Sequence, residues 1–270
     1  MTRKGKILVV ASSVNTFELK TGQTVPVGYY LNELAIPALA AIDAGYEIAV
    51  ATPKGNRPAV DRQSLNAGHF GGSDVKLYKA LEFASSNASL ENPCSILSAI
   101  EEGLENYVGV FVPGGHPPMI DLMQDPDLGE VLRHFHVHSK PTALLCHGPI
   151  AVTAAMPEAR AFRQALVEND REAAKRAAAG WQYAGYRMTI FSNEEEKYAE
   201  DNLMSGGKVP FYPATALEIA GARVVSKGFF EPHVVQDREL ITGQNPPSDH
   251  AIADLFVRTL DRYVGAKAAA

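Results

Sequence analysis

Lys140-Pro141-Thr142-Ala143-Leu144-Leu145-Cys146-His147-Gly148-Pro149-Ile150-Ala151 passes from one short apolar run into another, with a cysteine and a histidine at the junction. Residues 142–145 have the length of a buried strand, and residues 150–156 read as the helix that follows. Gly148 suits a tight turn and Pro149 a first helical position. A cysteine between them sits on a sharp strand-to-helix bend, its sulfur pointing away from the sheet. The N–H groups opening the next helix can stabilise a thiolate or an oxyanion there and lower the thiol pKa. The same position suits a buried structural cysteine, since free Cys is among the most buried residue types. Local sequence leaves both readings standing.

Working outward, strand-like apolar runs recur at residues 6–11, 47–52, 108–112, 142–145, 187–191, 223–225 and 234–236. Helical patterns lie at 31–44, 93–106, 127–138, 150–156 and 250–264. This alternation predicts an α/β fold, a mostly parallel sheet sandwiched by helices, with its chemistry at the carboxyl ends of the strands. Residues 1–270 read as a single domain. Two segments break the rhythm: 53–92, a turn-rich excursion over the active face, and 157–186, an Ala-, Glu- and Arg-rich helical insertion. Both are expected cap elements. The end at 266–270 reads as frayed.

With 46% hydrophobic and 21% charged residues, the 270-residue chain has an ordinary globular composition and can bury a sizeable core. Its net charge of −6 offers no basic footprint, so no nucleic acid partner is expected. Cys94 and Cys146 are the only cysteines, too few for a disulfide framework and consistent with a reducing compartment. The basic start precedes an apolar run too short for a signal-peptide core, and no run reaches the length of a membrane span. The expectation is a cytoplasmic protein with no membrane partner. No P-loop, GxGxxG or HExxH pattern occurs, which disfavours nucleotide and zinc-peptidase functions.

Several other residues could carry chemistry. Glu33 opens the first helix, where it serves either as a favourable N-terminal charge or as a carboxyl reaching the cysteine for proton transfer. Gly114-Gly115-His116 follows a strand; its two glycines make either a simple turn or a place where backbone N–H groups face a cavity. His147 is the obvious base, though adjacency to Cys146 does not make a pair. Ser192-Asn193-Glu194-Glu195-Glu196 reads as a capped, solvated helix start that can also supply an acid to orient the imidazole. His134, His136 and His138 share a face only on a strand, whereas their segment reads as a helix end, so a metal site is not favoured there. His69 stays a weak pocket candidate within the excursion.

In order along the chain stand Glu33-Leu34-Ala35-Ile36-Pro37, Gly45-Tyr46-Glu47, Ala51-Thr52-Pro53-Lys54-Gly55, Asp61 with Ser64, and Val112-Pro113-Gly114-Gly115-His116. Cys146-His147-Gly148-Pro149, Phe211, Gly221-Ala222 and Leu240-Ile241-Thr242-Gly243-Gln244-Asn245-Pro246 follow. Together they resemble the ThiJ/PfpI superfamily, of class I glutamine amidotransferase-like fold, and within it the larger heat-shock-chaperone and glyoxalase III branch. The resemblance implies a flavodoxin-like doubly wound sheet with a small cap, in a homodimer. It implies a triad of Cys146, His147 and an acid, with Glu33 against the sulfur and Gly114, Gly115 and His147 supplying oxyanion and substrate contacts. Glu194 is the expected acid, with Asn193 and Glu195 as alternatives. The implied activity is glutathione-independent conversion of a small 2-oxoaldehyde, methylglyoxal, to lactate, with protein deglycation beside it and neither metal nor organic cofactor. A stress-response holding chaperone or cysteine redox sensor is the alternative, and a cysteine peptidase or amidase another. Pro117-Pro118 stand where the family usually continues with glycine, which stiffens the pocket floor.

Overall fold

Strands that are apolar on both faces are stable only when covered on both faces. The computed structural model describes residues 3–204 and 206–269. Its strands are β1 (Lys6–Val10), β2 (Thr16–Glu18), β3 (Thr24–Pro26), β4 (Glu47–Thr52), β5 (Cys94–Ser95), β6 (Tyr107–Val112), β7 (Thr142–Leu145), β8 (Arg187–Met188), β9 (Arg223–Val224), β10 (Val234–Asp237) and β11 (Leu240–Gly243). Its helices are α1 (Leu31–Asp43), α2 (Asp74–Ser86), α3 (Ala88–Glu91), α4 (Ile96–Glu102), α5 (Pro126–Val137), α6 (Ala159–Val167), α7 (Arg171–Ala177), α8 (Asn193–Asn202), α9 (Pro213–Ile219) and α10 (Asp249–Ala268). Seven strands make one sheet in the order β10-β11-β7-β6-β1-β4-β5. All its pairings are parallel except the antiparallel edge hairpin of β10 with β11.

This is the expected α/β, flavodoxin-like sheet. β1 pairs with β4 on one side and β6 on the other, so strand order reverses at β1. The crossovers through α1 and α5 run in opposite directions across the sheet; both being right-handed, they set these helices on opposite faces. α1 packs against α10, which lies along β6, β7 and β11. The loops after β1, β6 and β7 meet at the carboxyl ends around the reversal, the place where such sheets hold ligands.

Local departures from the sequence reading are small. Of residues 150–156, read as a helix, 150–155 belong to a fully buried 3-10 segment, Gly148–Ala155, and Met156 follows it in extended backbone. The strand expected over 187–191 stops at Met188, and Leu240–Gly243 adds an unexpected central strand beside β7. The end read as frayed is helical through Ala268, and Ala270 lies outside the described residues, as do Met1 and Thr2. Among the described residues, no helix is long and apolar enough to cross a membrane.

Candidate active site

Cys146 lies one residue past β7 and has a φ of 59°, left-handed backbone that costs a non-glycine residue about 1–3 kcal/mol. Two main-chain hydrogen bonds hold it there. Its N–H donates to Gly243 O at 2.9 Å, and its carbonyl accepts from Phe191 N at 2.9 Å. The bend is thus pinned to β11 on one side and to the approach to α8 on the other, and the side chain is turned toward the converging loops.

The sulfur stands 3.3 Å from His147 Nδ1. His147 Nε2 in turn lies 2.8 Å from Glu196 Oε2, so the acid facing the histidine is Glu196. Glu194, the expected acid, is exposed on the first turn of α8, as is Asn193. Glu195 is buried but turned elsewhere: its carboxylate accepts from Ser192 N, Phe230 N, Gln244 Nε2 and Asn245 Nδ2. Adjacent helical residues point about 100° apart, so three consecutive glutamates take three different surroundings. The capping box of Ser192 with Glu195 fixes that phase. Glu196 is shared, because its Oε1 lies 2.9 Å from His116 Nε2. The two imidazole rings stand 4.1 Å apart. His116 went unassigned in the sequence; its only signal was its place after Gly114-Gly115.

The carboxylate accepts only, so it keeps the ring proton of His147 on Nε2 and leaves Nδ1 free to take a proton from the thiol. Burial by itself would raise Glu196, but the facing His147 and His116 outweigh it and hold the carboxyl well below the usual range. Burial, with His116 alongside, lowers His147 and keeps it neutral.

On the other side of the sulfur lies Glu33, fully buried on the first turn of α1. Its nearest donors are the Cys146 thiol and the Gly114 N–H, yet neither carboxyl oxygen has a partner in full hydrogen-bond geometry. Burial pushes Glu33 up to about 8, so near neutral pH it carries a proton. The lowered thiol pKa expected from the following helix is not found. Burial, and then the adjacent Glu33 carboxylate, push Cys146 well up instead. Two anions side by side without water are too costly, so a thiolate forms only while Glu33 is neutral. The Gly115 N–H is directed at the sulfur and the Gly114 N–H at Glu33, so each amide serves one member of the pair. The glycines are sterically required: a Cβ on Gly114 would strike Glu33 Oε2 and Cys146 Cβ, and one on Gly115, at φ 81°, would strike Gly28 O.

The site opens into a cavity of about 280 Å³. Cys146, His147 and His116 form its floor; Tyr30, Gln63, Asn66 and His69 make one wall; and Phe191, Tyr198, Leu203 and Phe230 make the other. The 53–92 excursion therefore overhangs the cysteine through Gln63, Asn66 and His69. The other expected cap element, 157–186, does not line this cavity. Its Ala165, Leu166 and Arg171 border a separate hollow with Lys20 and Phe211.

Among the described residues one group has metal-ligand potential, His116, His147 and Glu196, whose donor atoms lie within 4.8 Å of one another. Glu196 already engages both Nε2 atoms, which satisfies the donor set internally. The helix Pro126–Val137 splits the histidine-rich run. His136 Nδ1 meets Glu239 Oε1 at 2.7 Å, while the rings of His134 and His138 stack.

A reversal-point cavity with a cysteine on a strained bend, a histidine and a buried carboxyl defines a cysteine-centred protein of the flavodoxin-like class. The chain belongs to the ThiJ/PfpI family, whose ThiJ/PfpI family-like model matches residues 25–202. Among similar proteins is a protein/nucleic acid deglycase HchA of Pseudomonas aeruginosa, 24% identical over 94% of this chain and 80% of the relative. Another of that name, from Escherichia coli, is 25% identical over 95% of this chain and 81% of its own length. The crystal structure of glyoxalase III from Candida albicans superposes with a TM-score of 0.72 at 19% identity, covering 95% of this chain and 98% of the other. The expectation of no nucleic acid partner is corrected here, since these relatives are named for action on nucleic acids as well as proteins. Net charge describes the whole surface and is silent on a ligand held in a neutral pocket.

Proposed function

We propose that this protein is an enzyme of the glyoxalase III type, acting without glutathione on 2-oxoaldehydes such as methylglyoxal and delivering the 2-hydroxy acid, lactate in that case. Deglycation of proteins and nucleic acids, the activity for which the HchA relatives are named, is proposed for the same cysteine. The observation that carries the reading is Cys146 Sγ held between a neutral imidazole at 3.3 Å and a buried carboxyl that retains its proton near neutral pH.

His147 Nδ1 takes the thiol proton as sulfur attacks the aldehyde carbon, and Glu33 gives its proton to the aldehyde oxygen, making a hemithioacetal. Glu33, now a carboxylate, removes the hydrogen on that carbon while His147 protonates the neighbouring oxygen, giving an enediol. Glu33 then returns the hydrogen to the second carbon and recovers a proton from the first carbon's hydroxyl, leaving a thioester. The first carbon is oxidised and the second reduced, so no outside redox partner is needed. Water, with His147 as base, cleaves the sulfur–carbon bond and restores the thiol.

Lactate formation from methylglyoxal without glutathione tests this. Cys146→Ala is expected to abolish it, and Glu33→Gln to slow it by about 10²–10⁴-fold, the usual weight of a general acid–base. Undiminished turnover in both variants would falsify the mechanism.

A further inference from the structure

The cavity above Cys146, about 280 Å³, is near the lower end of the roughly 300–1,000 Å³ typical of pockets for drug-sized ligands. Methylglyoxal carries only a methyl group beyond its two carbonyls and would leave most of that space empty. No Lys, Arg, Asp or Glu lines the cavity among the described residues. The amides of its polar wall are engaged within the protein. Gln63 accepts from Tyr30 OH and donates to Leu203 O, while Asn66 accepts from Gly68 N and donates to Gln63 O. Burial lowers His69, which keeps it neutral, and its ring stands edge-on to Tyr30 at 5.3 Å. A charged substituent would find no opposite charge along the cavity and would give up hydration on entering it.

The opposite wall is aromatic. Phe191 lies 4.5 Å from the His147 ring, and Phe230, Tyr198 and Phe229 continue edge to face toward solvent at centroid distances of 4.6–5.8 Å. Tyr198 and Phe229 remain 41% and 43% exposed, so the apolar surface extends from the sulfur to the mouth. Resting on the glyoxalase-type reading, we infer that the preferred substrate is a 2-oxoaldehyde bearing a bulky uncharged apolar group, an aryl ring best of all, which packs between Phe230 and Leu203. The reaction is unchanged: R–CO–CHO plus water gives R–CHOH–COOH, with both carbonyl carbons over the Cys146 floor and R toward Tyr198.

Initial rates with methylglyoxal, phenylglyoxal and 4-carboxyphenylglyoxal, read as hydroxy acid formed by the full-length protein, test the preference. kcat/KM for phenylglyoxal should exceed that for methylglyoxal at least about tenfold, and the carboxylated ring should lose at least about tenfold against the plain one. Ala199→Phe, which fills the apolar side, should collapse the phenylglyoxal-to-methylglyoxal ratio toward unity. Equal rates, a preference for methylglyoxal, or tolerance of the carboxylate overturns the inference and leaves the glyoxalase-type reading intact. Protection of Cys146 from iodoacetamide by acetophenone, compared with acetone, reads cavity fit without turnover. Acetophenone should protect at concentrations at least about tenfold lower. Equal protection sinks the preference even in a protein that turns over none of the aldehydes, a result that would separately sink the proposed activity.

Discussion

Glu196 serves two imidazoles with one carboxylate, and everything expected of it follows from that double acceptance. Glutamine at this position keeps the shape but can accept from only one ring, and its amide hydrogens face a second ring N–H. Glu196→Gln should therefore lower kcat by about 10²-fold or more, through loss of the His147 tautomer that leaves Nδ1 free for the thiol. Glu194→Gln, on the exposed side of the same turn, should stay within about twofold of the parent. Steady-state kinetics of the pair decide between the two acids. The sequence could not make that choice, because it places 193, 194, 195 and 196 on one helix start without saying which way the start is rotated. That phase comes from Ser192 and Glu195 capping each other, and from Glu195 being tied to distant Gln244 and Asn245.

The same ties make the first turn of α8 a junction between elements. Glu195 binds the cap, the Phe230 amide and the side chains that follow β11. Glu195→Ala leaves several buried donors unpaired, a loss of about 3 kcal/mol by the cost of orphaned polar groups. A thermal melt should show Tm reduced by about 6–12 °C at the sensitivity of a domain of this size. Activity should fall as well, since Glu196 rides on the same turn. At this scale most of the fold was legible: β1, β4, β6 and β7 announce themselves as short apolar runs, and Gly45 closes α1. β11 was not, because Leu240–Gly243 is brief and runs straight into a loop, and only its pairing with β7 on one side and β10 on the other makes it a strand. The cap was half legible. A turn-rich excursion suggests a lid, but no composition tells which of two insertions lies over the cysteine.

Across the whole molecule, the buried Glu33 makes stability depend on pH in an unusual direction. Its pKa rises from an ordinary 4.5 to about 8 on folding, so between those values the folded state holds a proton that the unfolded chain has released. Stability from this group is greatest below the unfolded value and declines as pH climbs, by at most about 1.4 kcal/mol per unit, levelling off above the folded pKa. Denaturant midpoints compared between the parent and Glu33→Gln from pH 5 to 9 should differ by this falling term, the titrations common to both proteins cancelling in the difference. Parallel pH profiles would show that Glu33 folds ionised. Turnover should decline over the same alkaline range, because an ionised Glu33 opposes the thiolate and has no proton to give. The opposed pKa shifts of Glu33 and Glu196 thus leave an acid beside the sulfur and an anion behind the imidazole on its other side.

The contact among Gly114, Glu33 and Cys146 carries a further consequence for how such a site can change over generations. A side chain at 114 would occupy the space of the Glu33 carboxyl and crowd the cysteine, so these three positions are one unit of inheritance. A lineage cannot acquire even alanine at 114 while keeping the acid in place, and losing the acid does not free the glycine, because a Cβ there still meets Cys146 Cβ at 2.5 Å and Leu145 O at 2.6 Å. Among descendants, glycine at 114 should therefore persist wherever the bend at Leu145 and Cys146 is kept, even after the acid at 33 has gone.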